Sequence, residues 1–143
     1  KNKLAIGTPC LIDKDYLLLK RKGINSIFDL RNDYDFSKLN NHLDYTFGNK
    51  FEYLNFQLPD HNSKRVANSF EINQAINSLK ELMLNGPVFM HCHAGIERSP
   101  LISVAFLHKF HGLTLLQAID YVREQNKLIN LSTKQCQEIN KIA

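Results

Sequence analysis

The sequence predicts an α/β fold, with a central, mostly parallel sheet of about four to five strands and helices on both faces. Short apolar runs alternate with longer amphipathic stretches along the chain, which is typical of strand–helix–strand units. One apolar run, over residues 88–90, is separated by a short loop from a segment that is apolar nearly all round. That pairing indicates a central strand followed by a buried helix. The chain has 143 residues and no low-complexity linker, so we expect one domain spanning residues 1–143.

The first half of the chain carries three predicted strands, over residues 4–7, 24–30 and 52–58. The last of these alternates in the manner of a half-buried strand. Between the first two, Asp13 can cap a helix that runs through Lys22, and Gly23 supplies its stop. Residues 31–50 and 61–68 are polar, and we predict loops there, the first with a short helix.

The second half is mainly helical around one central strand. Residues 69–85 form an amphipathic pattern that a Gly-Pro pair ends. The capping-box patterns Thr114-x-x-Gln117 and Ser132-x-x-Gln135 begin the last two predicted helices. The predicted apolar stripe of the helix over 69–85 consists of Phe70, Ile72, Ile76, Leu79, Leu82 and Met83.

Charge and cysteine content narrow the possible functions. The net charge of +4 suits a phosphate-bearing partner, but the scattered lysines give no reason to expect nucleic acid. Three cysteines at irregular spacing show no disulfide framework or metal pattern, so we expect no metal and no cofactor, with Cys10 and Cys136 in the core. No apolar run approaches ~20 residues, so we expect no membrane span and no signal peptide. We expect a monomer.

The loop after the central strand carries the chemistry. It runs from Cys92 to Arg98, and Ser99 and Pro100 follow it. A loop that short, entering a helix, points several backbone N–H groups into one concavity that binds anions. Arg98 can grip two phosphate oxygens with its planar fork. The positive field also favours the thiolate of Cys92, which is a strong nucleophile. The loop therefore places a nucleophile beneath a bound oxyanion.

The string His91-Cys92-x-Ala94-Gly95-x-x-Arg98-Ser99-Pro100 resembles the signature of the cysteine-based protein tyrosine phosphatases, in its compact dual-specificity form. The order strand, helix, glycine, strand, Asp-Leu-Arg in the first half is similar to the same family. The resemblance implies hydrolysis of phosphate monoesters through a phosphocysteine on Cys92. The backbone N–H groups that would bind phosphate belong to His93, Ala94, Gly95, Ile96, Glu97 and Arg98.

Such a reaction also needs a proton donor for the leaving oxygen. Asp60 is the candidate for general acid and then base, because it follows a predicted strand end, where active-site loops lie. The general acid of the dual-specificity family sits on a similar loop at a similar separation from the cysteine. Asp44, Asp35 and His61 are alternatives.

Other residues around the loop have expected roles that are not acid–base. Ser99 can donate a hydrogen bond to the Cys92 sulfur in the second step, or cap the helix, or do both. His91 is expected to orient the loop through backbone contacts. The side chains of His93 and Glu97 are expected at the pocket rim, without a catalytic role. Arg31 either approaches the site or pairs at the surface.

The expected substrate is a phosphorylated protein or peptide, because the chain is too short for the segments that build a deep phosphotyrosine cleft. The pocket should admit phosphotyrosine and also phosphoserine or phosphothreonine. A phosphoinositide or an RNA 5′-phosphate is an alternative, although Glu97 would repel a polyphosphorylated headgroup. A non-catalytic phosphate-binding module is a further alternative. A required free thiol implies a reducing compartment, the cytoplasm or the nucleus.

Overall fold

The protein forms one parallel sheet with a central strand that leads into the site. The computed structural model describes residues 4–7, 13–37, 51–59, 63–92 and 97–142. Its strands are β1 (Leu4–Gly7), β2 (Ser26–Asp29), β3 (Glu52–Asn55) and β4 (Val88–His91). They pair in the order β1-β4-β2-β3, and every pairing is parallel. The predicted α/β fold with a parallel sheet is confirmed.

The described residues also form six helices. These are α1 (Asp13–Arg21), α2 (Asp33–Ser37), α3 (Ser69–Met83), α4 (Arg98–Phe110), α5 (Leu115–Gln125) and α6 (Thr133–Asn140). Both predicted capping boxes are present, at the starts of α5 and α6. None of the described helices is long and apolar enough to cross a membrane.

The two faces of the sheet bury different sets of side chains. The larger core lies between the sheet and helices α3 and α4, and nearly the whole first two turns of α4 are buried in it. A smaller cluster lies under α1 and consists of Leu19, Ile24, Ile27, Phe51 and Phe89. Alternation along each strand sends neighbouring side chains to opposite faces. Helices α3 and α4 cover one face of the sheet, and α1 covers the other. Because β4 is packed on both faces, the loop that follows it starts from a rigidly held strand.

Several elements differ in detail from their predicted bounds. β3 ends at Asn55, although backbone hydrogen bonds from Phe56 to Asp29 and from Leu58 to Leu30 continue beyond it. The Asn55 side chain also donates to the carbonyl oxygens of Asp29 at 2.8 Å and Arg31 at 3.0 Å. Phe70 was predicted on the apolar stripe but is 66% exposed. It lies two positions before the buried Ile72, and residues two positions apart point to nearly opposite sides of a helix. The predicted loop over 61–68 lies partly outside the described residues.

Helix α3 begins with a capping box that the sequence analysis missed. The Asn68 side chain accepts from the Glu71 backbone N–H at 2.9 Å, and the Glu71 side chain accepts from the Asn68 N–H at 3.0 Å. Asn-x-x-Glu carries the same chemistry as the two patterns that were recognised. This N-terminus was therefore visible in the sequence.

Candidate active site

Cys92 directly follows β4, the strand that lies between β1 and β2. Its side chain is buried and belongs to the larger core. The described chain resumes at Glu97, and α4 begins at Arg98. Cys92 and Arg98 therefore lie at the two ends of one short connection between the central strand and a buried helix. His93, Ala94, Gly95 and Ile96 lie outside the described residues, so their phosphate contacts stay a prediction.

The Arg98 guanidinium is buried and held by an acid from α2. Its Nη1 donates to Asp35 Oδ2 at 2.6 Å, and its Nη2 donates to Asp35 Oδ1 at 3.3 Å. Nη1 also lies 3.2 Å from the carbonyl oxygen of Leu30 and 3.5 Å from that of Leu58. Asp35 was one of the alternative general acids, and the structure places it as the ion-pair partner of the arginine. No sequence signal marked this pairing, because Asp35 lies in a weakly patterned polar stretch.

Ser99 is the second residue of α4 and is fully buried. The predicted role as helix cap is wrong, because the cap position is Glu97, whose side chain makes no capping hydrogen bond. The Ser99 hydroxyl has no hydrogen-bond partner among the described residues. Leaving a buried hydroxyl unsatisfied costs about 1–3 kcal/mol, so such a group calls for an explanation.

A buried ion-pair cluster lies beside the end of β4, and the sequence analysis did not predict it. Arg31 donates to Asp29 Oδ1 from Nε at 2.9 Å and to Oδ2 from Nη2 at 2.8 Å. The Tyr53 hydroxyl donates to Asp29 Oδ2, and His91 Nδ1 lies 3.7 Å from Asp29 Oδ1. Arg31 is 1% exposed, so the interpretation of a surface pair is wrong. The sequence signal was the Asp-Leu-Arg string itself, because side chains two positions apart point to the same side where an extended strand ends.

The charges of this cluster act on the Asp29 carboxyl in opposite directions. Burial alone would raise the pKa of Asp29. The hydrogen bond and charge of Arg31, the charge of His91 and the hydrogen bond from Tyr53 together hold the pKa of Asp29 below its ordinary value. A charged Asp29 beside His91 fixes the strand end from which Cys92 follows. In addition, the Leu30 N–H donates to the His91 carbonyl oxygen at 2.9 Å, which joins the end of β4 to the segment after β2. The predicted role of His91 in orienting the loop stays a prediction.

The remaining predicted residues fall at the edge of what the structure describes. Glu97 is half-buried, and its Oε2 lies 3.5 Å from Gln135 Nε2 of α6. Cys136 is partly buried, and Cys10 lies outside the described residues. Asp60, His61 and Asp44 also lie outside them. The described chain reaches Pro59, so the segment that leads to Asp60 passes Arg98 at the Leu58 carbonyl.

Solved structures of known proteins share this architecture. The crystal structure of PTPMT1 in complex with PI(5)P has a TM-score of 0.79 and 18% identity, covering 99% of this chain and 90% of that chain. The crystal structure of Tk-PTP in the active form has a TM-score of 0.75 and 22% identity, with the same coverage of 99% and 90%. At these identities the likeness shows the fold alone.

Curated relatives match a shorter part of the chain. Dual specificity protein phosphatase 14 of Mus musculus is 32% identical over 81 residues, which are 56% of this chain and 40% of that protein. Dual specificity protein phosphatase 1 of Homo sapiens is 28% identical over 85 residues, which are 59% of this chain and 23% of that protein. These matches span less than half of each relative.

A family model covers almost the whole chain. The model described as dual specificity phosphatase, catalytic domain, matches residues 14–142. This match includes both ends of the loop, the Asp-Leu-Arg string and all six described helices except the first residue of α1. The resemblance read from the sequence is therefore confirmed, and the chain belongs to the dual specificity phosphatase catalytic-domain family.

Proposed function

We propose that this chain hydrolyses phosphate monoesters on proteins, namely phosphotyrosine together with phosphoserine and phosphothreonine, through a phosphocysteine on Cys92. One observation carries the proposal: Cys92 directly follows the central strand, and Arg98 begins the buried helix on the other side of one short loop. A nucleophile and an anion-binding fork at the two ends of such a loop are the groups that phosphoryl transfer to sulfur requires. Family membership supports the same chemistry.

The proposed reaction has two steps, transfer of the phosphoryl group to Cys92 and its hydrolysis. The Cys92 thiolate attacks phosphorus, a P–S bond forms and the P–O bond to the leaving group breaks, while Asp60 gives its proton to the departing oxygen. Water then attacks the phosphocysteine and gives a proton to Asp60, so inorganic phosphate leaves and the thiolate is restored. Arg98 and the loop N–H groups stabilise the phosphoryl oxygens in both steps.

Ser99 has the properties required to assist the second step. Its hydroxyl is buried, and the described residues offer it no partner. A hydrogen bond from this hydroxyl to the sulfur would stabilise the thiolate as it leaves phosphorus. The need for a free thiol also supports a reducing compartment, and we place the protein in the cytoplasm or the nucleus.

The names of the curated relatives favour a protein substrate, since each is a dual specificity protein phosphatase. A phosphoinositide is the second candidate, because a structure with this fold is described in complex with PI(5)P. The half-buried Glu97 carboxylate directly before Arg98 opposes a headgroup with several phosphates. A single phosphate group on a protein side chain would be repelled less by that carboxylate, so we favour a phosphorylated protein as the substrate.

The test is Cys92→Ser, assayed with para-nitrophenyl phosphate and with phosphopeptides. Serine is not ionised near neutral pH, so we expect turnover to fall at least about 1,000-fold. Acid quenching of the wild type with radiolabelled substrate should trap phosphate on the protein, and the variant should trap none. Cys136→Ser is the matched control, because this partly buried thiol lies on α6, outside the loop, and has no role in the proposed chemistry, so the variant should keep full activity.

Substrate class is decided by comparing initial rates on phosphopeptides, phosphoinositide vesicles and triphosphorylated RNA. We expect phosphopeptides to give the highest initial rates. Higher efficiency on vesicles or RNA would replace the protein substrate with that class. A wild-type chain that binds phosphopeptide without turnover would be a binding module, and the catalytic proposal would be wrong.

A further inference from the structure

We propose that a pocket between β3 and the end of α3 binds an arginine side chain of the phosphorylated protein that is the proposed substrate. This β3–α3 pocket has a volume of about 300 Å³. The residues that line it include Glu52, Leu54, Ser78, Glu81, Leu82 and Asn85. Arginine binding is a property of the pocket itself, whereas its role in docking a substrate rests on the proposed function.

The pocket lies on the face of the sheet that carries the larger core. Side chains alternate along an extended segment, so Glu52 and Leu54 share a face with Phe56, which packs against that core. Ser78 and Leu82 are four positions apart on α3 and therefore lie on one side of the helix. The pocket is thus the gap between this side of α3 and β3, the last strand in the sheet order.

The charge of the pocket is opposite to that of the whole chain. The described residues that line it include two carboxylates, Glu52 and Glu81, and no basic side chain. Neither carboxylate forms an ion pair within the part of the chain that the structure describes. The chain as a whole has a net charge of +4. Two acids together in one concavity therefore favour a cation at this place on a protein that otherwise repels cations.

One of the two acids is held in place by a hydrogen-bond network. Asn85 Nδ2 donates to Glu52 Oε1 at 2.9 Å, and Asn25 Nδ2 donates to the Asn85 carbonyl oxygen at 2.6 Å. The Glu52 backbone N–H in turn donates to the Asn25 carbonyl oxygen at 3.0 Å. Three separate segments thereby fix the Glu52 carboxylate at the pocket, so less freedom is lost when a ligand binds it.

The lining suits arginine in both its apolar and its polar parts. Leu54 is partly exposed and Leu82 is buried, so together they offer an apolar surface on which the stem of a long side chain can lie. The planar guanidinium has five N–H donors, and a carboxylate can accept two of them side by side. Pockets for small molecules measure about 300–1,000 Å³, so this one is of a size for a single side chain.

The position of the pocket determines where the arginine lies in the substrate. Glu52 is in register with Ser26, and Ser26 is in register with Val88, so Glu52 is level with the start of β4. Cys92 follows Val88 by four residues, which corresponds to about 13 Å along the strands, and two strand spacings add about 10 Å across the sheet. An extended peptide needs at least about five residues to cover that separation.

The first experiment measures kcat/KM on phosphotyrosine peptides that carry one arginine, placed about eight or about two residues from the phosphotyrosine on either side. Each peptide is compared with one in which citrulline, a neutral analogue of similar shape, replaces the arginine. For the long spacing on one side, arginine should raise kcat/KM about 3- to 10-fold over citrulline, as expected for a hydrogen-bonded charge pair. At the short spacing it should give no gain, because the arginine cannot reach the pocket.

The ratio of kcat/KM for the arginine peptide to that for the citrulline peptide is then compared between variants. Taking the ratio within each protein removes any effect of a substitution on catalysis itself. Glu81→Gln should lose most of the gain, and Glu81→Lys should make citrulline the better substrate. Glu124→Gln is the matched control, because Glu124 is an exposed acid of α5 that does not line the pocket, and it should keep the wild-type ratio.

The second experiment titrates isotope-labelled protein with N-acetyl-arginine amide and follows the backbone amides by NMR. The largest shifts should occur at Leu54, Glu81 and Asn85, and the citrulline analogue should cause much smaller ones. This measurement needs no catalytic activity. A protein with these shifts but without phosphatase activity would reject the proposed function and keep the arginine pocket.

Three results would overturn the inference. One is a ratio in Glu81→Gln that equals the wild-type ratio. Another is a set of amide shifts that leaves the pocket residues unchanged on addition of the arginine probe. The third is a shift of the pocket amides when the protein concentration is raised without any probe, which would assign the pocket to a second copy of the chain.

Discussion

At the scale of single residues, the candidate site is built from side chains whose neighbours lie in distant parts of the chain. Arg98 is held by Asp35, and Ser99 is buried beside it with a hydroxyl that has no partner among the described residues. Burial strengthens the attraction between Arg98 and Asp35 because the local dielectric constant is low. Under the proposed mechanism, Arg98 is oriented before substrate arrives, which would lower the cost of reaching the transition state.

Asp60→Asn tests the predicted general acid. The change removes the proton that the leaving oxygen receives, so turnover should fall by roughly 10²–10⁴-fold, while phosphate affinity should survive. An activated aryl phosphate should suffer less than phosphotyrosine, because its leaving group needs little protonation. In the pH–rate profile, the wild type should give a bell, since it needs a thiolate and a protonated acid together, and the variant should lose the alkaline limb.

His61→Ala is the control for that experiment, because it is the neighbouring alternative acid. Under the prediction it keeps the bell-shaped profile and most of its turnover. An Asp60→Asn variant that slowed every substrate equally and kept the whole bell would move the acid to another residue. His61 and Asp44 would then be examined in the same assays.

At the scale of elements, three of the helices begin where a local signal places them. β4 ends at His91, directly before Cys92, and α4 starts at Arg98. Helices α3, α5 and α6 each start with a capping box, in which two backbone N–H groups are satisfied by side chains. The start of α3 is also bonded to α6, because the Ser69 N–H donates to Glu138 Oε1 at 2.7 Å.

Asn68→Ala tests the cap that the sequence analysis missed. The variant loses the hydrogen bond to the Glu71 N–H at the start of α3, so the free energy of unfolding should fall by about 1 kcal/mol. Urea unfolding measures this change. Asn77→Ala, an exposed change in the middle of the same helix, should be neutral or slightly stabilising, because alanine is the better helix former. Equal losses for the two variants would contradict a specific capping role.

At the scale of the whole molecule, the order β1-β4-β2-β3 decides which residues meet at the site. It places the end of β2 beside the end of β4, with Asp29 in register with His91. It also places β3 on the other side of β2, from which Tyr53 reaches Asp29. Because all strands are parallel, their carboxyl ends lie at one edge of the sheet, and ligands of open α/β sheets bind at such an edge.

The Asp29 cluster should make part of the stability depend on pH. In the folded protein the pKa of Asp29 lies below its ordinary value. The contribution of the Asp29 charge to the free energy of unfolding is therefore fully present above about pH 4, and it is lost as the pH falls through the pKa of the folded state. At pH 7, Asp29→Asn leaves Arg31 buried without its partner and should lower the free energy of unfolding by about 3–5 kcal/mol. The difference in the free energy of unfolding between wild type and Asp29→Asn should become smaller below about pH 4.

Urea unfolding of both proteins at several pH values between 7 and 3 measures this change. Asp120→Asn is the control, because its pairing with Arg123 is exposed, and it should cost less than about 1 kcal/mol. If the difference in the free energy of unfolding between wild type and Asp29→Asn stayed constant down to pH 3, the charge of Asp29 would contribute nothing to folding.

Much of the fold could be predicted because its signals are local. The alternation of strands and helices, two capping boxes and the glycine stop after α1 all depend on residues within a few positions of one another. The errors also have local causes. Phe70 was assigned to the buried stripe on hydrophobicity although its helical position faces outward. The strand β3 was predicted to reach Leu58 but ends at Asn55, although backbone hydrogen bonds to the segment after β2 continue beyond it.

The order of the elements, the family and the two ends of the loop, Cys92 and Arg98, could be predicted from the sequence, because a short motif between an apolar strand and a buried helix contains that information. The contact of Arg98 with Asp35 and the position of His91 beside Asp29 depend on the tertiary structure. Residue spacing does not reveal such pairs, because their members come from different elements. They meet because the sheet places the end of β2 beside the end of β4, and because the buried start of α4 brings Arg98 to Asp35.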